Sequence, residues 1–340
     1  MSQVLDSTTH EEARGSATRG ELPAAITIDR LTVRYGSKTV LDEVSFEVAS
    51  GEVHALLGRN GSGKSSLVRC LLGQQKPTAG ATRLFGHDSW RERSRLMERV
   101  GVVPEEPDAP PTMTARQLSK FCSRLYARWD GAGLERRLQR FEVPLSVPFG
   151  SLSRGQKAQV QLSLALASEP QLLVLDDPTL GLDAVARRAV FEELVVELAD
   201  RGITVFVTSH DLPGIEAIAS RLAMLRDGRL ELDEELETLK GRFRKITFGR
   251  TEGVGERRAD GTDLLADLEP ITVRRQGRRT EALVSRFTHE RFAELSSQGD
   301  VERAEVQPVS LEEILVALSD PTVASGDLLT GVGDGRESDS

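Results

Sequence analysis

The chain has 340 residues, 39% hydrophobic and 29% charged, and its 44 basic against 53 acidic side chains give a formal charge of -9. At roughly 150 residues per domain the length predicts about two folded domains, and the balance excludes a disordered polyelectrolyte. A bilayer span is excluded as well, because no stretch of about 18 mostly apolar residues occurs, and the acidic excess argues against nucleic acid as a partner.

Residues 1 to about 22 are polar and rich in Ser, Thr, Gly and charge, so they are expected to form a disordered tail. The opening MSQVLDSTTHEEARGS has no basic region followed by an apolar one, which predicts a cytoplasmic protein without a signal peptide. Cys70 and Cys122 stand far apart without CxxC spacing, as expected of reduced, buried thiols rather than a disulfide or zinc site.

From Ile26 short β-branched or aliphatic runs (26–34, 44–49, 53–57, 100–103, 171–175, 203–208 and 222–225) alternate with helical stretches. That alternation predicts an α/β domain over 23–240 with a largely parallel sheet. Between Thr114 and Phe141 the periodicity is helical throughout, which marks a helical subdomain, about 105–165, set between two halves of the sheet. Trp129 and Asp130 within it are expected to serve core packing and helix termination. Beyond a linker near Gly241 the order is strand (243–248), helix (262–268), strand (271–275), strand (280–285), helix (288–297), strand (301–307). This is the order of a ferredoxin-like, split βαβ module over 241–320. A last amphipathic helix opens at Ser310, where SLEE reads as a capping box, and an acidic tail is expected over 321–340.

The strongest chemical signal is GRNGSGKS, which fits G-x-x-x-x-G-K-[ST] without mismatch between the apolar run VHALL and the helical stretch SSLVRCLL. Gly58, Arg59, Asn60, Gly61, Ser62, Gly63, Lys64, Ser65 and Ser66 are therefore the candidate phosphate loop. Glycines let backbone N–H groups turn inward around phosphate oxygens, and the helix N-terminus adds its positive dipole. Lys64 is expected to reach the β and γ phosphates and Ser65 to ligate Mg²⁺. A carboxylate for the hydrated metal is supplied by QLLVLDD, whose apolar run delivers Asp176 and Asp177 at its C-terminal tip. Paired carboxylates at such a place can also be an ordinary solvated strand end.

With these residues in view, the chain resembles the ATP-binding cassette (ABC) ATPases over 26 to about 240. LSRGQ at 152–156 is similar to the family signature LSGGQ, GLD ends at Asp183 as the D-loop, TSH ends at His210 as the switch histidine, VRYG contains Tyr35 as the adenine platform, and VVPEEP holds Glu105 at the Q-loop. The resemblance implies a RecA-like P-loop core with an antiparallel β-subdomain and a helical subdomain, binding ATP and Mg²⁺. It further implies a head-to-tail homodimer or pairing with a second ABC ATPase, in which Ser153, Gly155 and Gln156 of one copy face the γ-phosphate held by the other. Ser153 could instead be only a helix N-cap, Tyr35 a strand-end aromatic and His210 a cap of the next helix. Lys64, Asp177 and His210 are the expected catalytic residues, with Ser65, Asp176 and Glu105 around the metal.

Three positions depart from the family pattern. Asp177 stands where Glu is usual, Glu105 where Gln is usual, and Arg154 replaces the first Gly of the signature. The first of these predicts slow but real hydrolysis. LYARWD, the Q-loop Glu and the terminal SLEEILVAL resemble ATPases of ABC-2-type exporters. That resemblance implies a separate transmembrane permease and a place on the inner face of the cell membrane. A non-transport ABC ATPase, or a slow regulatory nucleotide-binding subunit suggested by Asp177, is the alternative.

Overall fold

A computed structural model of the chain describes residues 24–209, 211–250, 265–299 and 301–319. The two expected tails and His210 lie outside the described residues. The chain divides into two compact units, one built from residues up to 211 with 222–233, the other from 212–221 with 234 onward.

The first unit opens with β1 (Ala24–Tyr35) and β2 (Lys38–Ala49), paired antiparallel. In β2 the buried Leu41, Val44, Phe46 and Val48 are set off by exposed Glu43, Ser45 and Glu47, the period of two that a half-covered strand requires. After β3 (Val53–Gly58) and α1 (Lys64–Leu71) the chain returns to this sheet as β4 (Ala79–Leu84) and β5 (His87–Asp88), giving the order β2-β1-β4-β5. Sequence periodicity missed β4 because AGATRL has almost no apolar pattern. Its place is fixed by Gly80 at φ +76, where a Cβ would stand 2.2 Å from the Arg30 carbonyl oxygen. A short α2 (Arg93–Leu96) leads into the second sheet at β6 (Val100–Val103).

Next come α3 (Ala115–Cys122), α4 (Gly131–Arg140) and α5 (Arg154–Ala167). The stretch from Thr114 to Phe141 is helical without a strand, as expected, and consists of two helices with 123–130 between them. Asp130 Oδ1 accepts the Gly133 N–H at 2.7 Å, so this residue starts α4 rather than ending a helix, which corrects the expectation for it. Trp129 does pack: its Nε1 donates to Ser119 Oγ at 3.2 Å and its ring stacks near Tyr126. Leu118, Leu134, Leu138, Phe149 and Val160 form the core of this helical part.

The chain re-enters the sheet as β7 (Leu172–Asp176), crosses by α6 (Ala184–Arg201) and adds β8 (Thr204–Thr208). After α7 (Leu212–Ile218), which belongs to the second unit, β9 (Arg221–Arg226) and β10 (Arg229–Glu235) complete the order β10-β9-β3-β8-β7-β6. β3, β8, β7 and β6 run parallel. LLVL and TVFVT are buried without alternation, as strands covered on both faces must be. Leu56, Leu67, Leu71, Leu84, Val174 and Phe206 join α1 to both sheets in one core. α4 is tied to α6 by buried charge: Arg137 reaches Glu193 at 3.0 Å and Glu197 at 2.6 Å, with Arg140 on Glu193 and Arg201 on Glu197.

The second unit contains α7, α8 (Leu236–Arg242), β11 (Arg244–Arg250), β12 (Pro270–Gln276), β13 (Arg279–Val284), α9 (His289–Ser296), β14 (Val301–Pro308) and α10 (Leu311–Ser319). Its sheet has the order β12-β13-β11-β14, all antiparallel, over a core of Ile246, Phe248, Ala282, Val284 and Leu295. This is the strand order a split βαβ produces. Ser310 Oγ and Glu313 Oε2 cap α10 reciprocally.

Candidate functional site

The parallel strands β3 and β7 end on the same side of their sheet, and the loops that follow them line one cleft of about 430 Å³. Tyr35, Asn60, Gly61, Gly63, Lys64, Ser65, Ser66, Glu105, Asp176 and Asp177, all expected from the sequence, meet there. Lys38, Val40, Arg69 and Thr208 complete the lining. Lys38, Lys64 and Arg69 make one pole cationic, and Glu105, Asp176 and Asp177 make the other acidic.

At the cationic pole the loop backbone is wound as only glycine allows. Gly63 sits at φ +110, and a Cβ there would stand 2.5 Å from Leu41 Cδ2 and 2.9 Å from the Val40 carbonyl oxygen. Gly63 then N-caps α1 with no side-chain hydrogen bond, so the leading amides of Lys64, Ser65 and Ser66 stay open on residues that line the cleft. Open amides at a helix start are an anion site. Lys64 Nζ donates to the Gly58 carbonyl at 2.7 Å and the Arg59 carbonyl at 3.3 Å, leaving one of its three protons for a ligand. Burial pulls the Lys64 ammonium below its ordinary pKa, while Asp177, Asp176 and Glu105 pull it back up. Gly58 and Arg59 thus serve through their carbonyls. Ser62, also outside the cleft lining, is buried with its Oγ lacking a hydrogen-bond partner among the described residues.

At the acidic pole β7 ends on Asp176, in register with Thr208 of β8. Thr208 Oγ1 donates to Asp176 Oδ1 at 2.6 Å, and the Asp177 N–H reaches both Thr208 Oγ1 at 3.0 Å and the Thr208 carbonyl at 2.9 Å. Asp177 is buried and adopts φ +47, in the left-handed region that non-glycine residues enter at a cost. Ser65, Asp176 and Glu105 offer a hydroxyl and two carboxylates, hard oxygen donors of the kind Mg²⁺ takes. Among the described residues no cluster of three or more His, Cys, Asp or Glu could hold a metal by itself, and Mg²⁺ is ordinarily completed by water and substrate phosphate.

Tyr35 is held from the side: its OH donates to Gln75 Oε1 at 2.6 Å and lies 3.4 Å from Ser66 Oγ, and its ring is half exposed at the cleft. Gln75 carries no motif and was not legible in the sequence. Thr208 was within reach of sequence reasoning, as the residue that ends the strand beside QLLVLDD.

Ser153, Gly155, Gln156 and Asp183 do not line this cleft. Ser153 Oγ and Gln156 Oε1 cap α5 reciprocally, and Asp183 Oδ1 accepts the Ala186 N–H at 2.8 Å to cap α6. A Cβ at Gly155 would stand 3.1 Å from Ala186 Cβ, and one at Gly181 would stand 2.9 Å from Arg154 Cζ. The signature segment and the D-loop therefore pack on each other as one surface.

A family profile described as ABC transporter matches residues 41–180. The Nod factor export ATP-binding protein I of Paraburkholderia xenovorans is 38% identical over 211 residues, 61% of this chain and 69% of that protein. The bacitracin transport ATP-binding protein BcrA of Bacillus licheniformis is 32% identical over 220 residues, 63% of this chain and 71% of that protein. A solved ATP-binding subunit of an ABC transporter superposes with a TM-score of 0.58 at 28% identity, covering 64% of this chain and 92% of that one.

Proposed function

The chain belongs to the ABC transporter family as an ATP-binding, ATP-hydrolysing subunit, and from that premise we propose that it drives an exporter whose transmembrane permease is a separate polypeptide. The observation that carries the reading is the single cleft in which Lys64, Ser65, Glu105, Asp176 and Asp177 converge. Export is supported by the relatives' own activities, Nod factor export and bacitracin transport.

In the proposed mechanism Tyr35 stacks on the adenine, the amides of the 58–66 loop hold the β and γ phosphates, and Lys64 neutralises the charge that builds on them. Ser65, Asp176 through water, and Glu105 would hold Mg²⁺, which would supply charge neutralisation for the phosphates. Asp177 orients the attacking water and takes its proton as the new O–P bond forms in line with the breaking bond to ADP. Its side chain is one methylene shorter than Glu, so turnover is slow. His210 is assigned to the γ-phosphate from its motif. Ser153, Gly155, Gln156 and Asp183 act on the nucleotide of a second copy or a paired ABC ATPase: they lie on α5 and α6 starts outside their own cleft, and helix starts suit a phosphate presented across an interface.

The partner reading has its own support. A groove of about 430 Å³ beside β6, α3 and α5 is lined by Leu72, Met97, Val102, Leu118, Phe121 and Tyr126, and Phe121 is 54% exposed. An apolar groove of this kind suits an amphipathic helix of a permease. No helix among the described residues is long and apolar enough to cross a membrane. Pairing with a permease puts the proposed location in the cytoplasm, on the inner face of the membrane, with the 241–320 module as a docking or dimer-stabilising element. Membrane pull-down with the full chain tests the reading: co-purification of a polytopic membrane protein is the expected result, and recovery of ribosomes or DNA in its place overturns it.

A further inference from the structure

We propose that Thr208, the last residue of β8, is a positioning residue for ATP hydrolysis: its hydroxyl locks the two carboxylate residues at the tip of β7 together and fixes the backbone turn from which Asp177 addresses the attacking water. The inference rests on Asp177 being the water-orienting group.

A threonine hydroxyl has one proton to give. Here it goes to Asp176 Oδ1 at 2.6 Å, a short charge-assisted bond, and the oxygen's lone pairs are left to accept the Asp177 N–H at 3.0 Å. The same N–H is also received by the Thr208 carbonyl at 2.9 Å, so one residue supplies both acceptors that hold this amide. Thr208 is fully buried at the edge of the cleft.

Two consequences follow at the site. Asp176 has one carboxylate oxygen committed to Thr208, which leaves Oδ2 for a metal-bound water and removes the rotamer freedom the carboxylate would otherwise have. Asp177 stands at φ +47, a conformation that persists in a non-glycine residue only where its surroundings impose it. A carboxylate one methylene shorter than Glu cannot find the water by side-chain reach. The backbone therefore sets where the Asp177 carboxylate stands, and Thr208 sets that backbone.

The test uses the full chain carrying Thr208→Val, which keeps shape and removes the hydroxyl, together with Thr208→Ala and Thr208→Ser, each alone and with Asp177→Asn. Turnover at saturating Mg-ATP and equilibrium affinity for a fluorescent ATP analogue are read on the same preparations. A misplacement of about 1 Å costs up to roughly a hundredfold in rate, so Thr208→Val is expected to lose at least about tenfold in kcat with affinity little changed. Thr208→Ser restores the rate, and in the Asp177→Asn background Thr208→Val has no further effect. Should Thr208→Val fold poorly, Thr208→Ala carries the same comparison. Wild-type turnover in Thr208→Val beside an inactive Asp177→Asn overturns the Thr208 role alone. An equal rate loss with and without Asp177, or parallel loss of rate and affinity, overturns it in favour of a merely structural residue. Wild-type turnover in Asp177→Asn removes the reading of Asp177 and this proposal with it.

Discussion

Gly63 and Gly61 both sit at positive φ in the phosphate loop, yet alanine at the two positions should have different effects. At Gly61, φ +83, an added Cβ meets nothing within 4 Å, so only backbone strain of about 1–3 kcal/mol applies. At Gly63, φ +110, the same Cβ would stand 2.9 Å from the Val40 carbonyl oxygen, a main-chain atom of β2 that cannot turn aside, and 2.5 Å from Leu41 Cδ2. Leu41 is fully buried in the core that joins α1 to both sheets. Overpacking of this kind adds about 1–3 kcal/mol, for a total near 2–6 kcal/mol. Urea unfolding without nucleotide isolates the effect from any change in nucleotide binding. Gly63→Ala should unfold at clearly lower denaturant than Gly61→Ala. Coincident transitions for the two variants would refute the claim that the loop is wound tightly against β2.

Three further outcomes are expected. Because burial depresses the Lys64 ammonium, the unfolded chain keeps this proton to higher pH than the folded one; as pH rises through the window below the usual lysine value, folded stability gains while ATP affinity falls. Phosphate beside Lys64 raises its pKa, so calorimetry in that alkaline window should record proton uptake on ATP binding, and an uptake of zero contradicts the contact. Arg137→Met strips one partner from the buried Glu193 and Glu197 and should cost about 3–5 kcal/mol in urea unfolding, whereas a loss near zero would mean Arg140 and Arg201 suffice. Tyr35→Leu should weaken ATP binding by about 1–3 kcal/mol through lost stacking, with Tyr35→Phe retaining most of the affinity; equal losses would assign the effect to the hydroxyl.

The sequence makes some of this architecture legible and hides the rest for identifiable reasons. LLVLD and TVFVT read as buried strands because a parallel sheet covered on both faces demands continuous apolar runs, and Asp176 at the tip of one of them follows directly. β4 and β10 carry too little apolar pattern to declare themselves, and the packing of Gly80 on Arg30 is visible only in three dimensions. Thr114–Phe141 reads as helical since the apolar period runs on, while the start of α4 at Asp130 is a local act of that side chain. In the site, the phosphate loop is recognisable because glycine spacing records backbone geometry. Gln75 is not, because its role comes from a hydrogen bond to a residue far along the chain.

In the proposed mechanism ATP hydrolysis depends most on Asp177, the group that orients water in the cleft it shares with Lys64. Steady-state phosphate release by wild type, Asp177→Asn and Asp177→Glu, each saturated with Mg-ATP, tests it most directly. The expected result is slow turnover in wild type, near-complete loss in Asp177→Asn with ATP affinity intact, and turnover equal to or above wild type in Asp177→Glu. Wild-type turnover indistinguishable from that of Asp177→Asn would contradict it and favour a regulatory nucleotide-binding subunit.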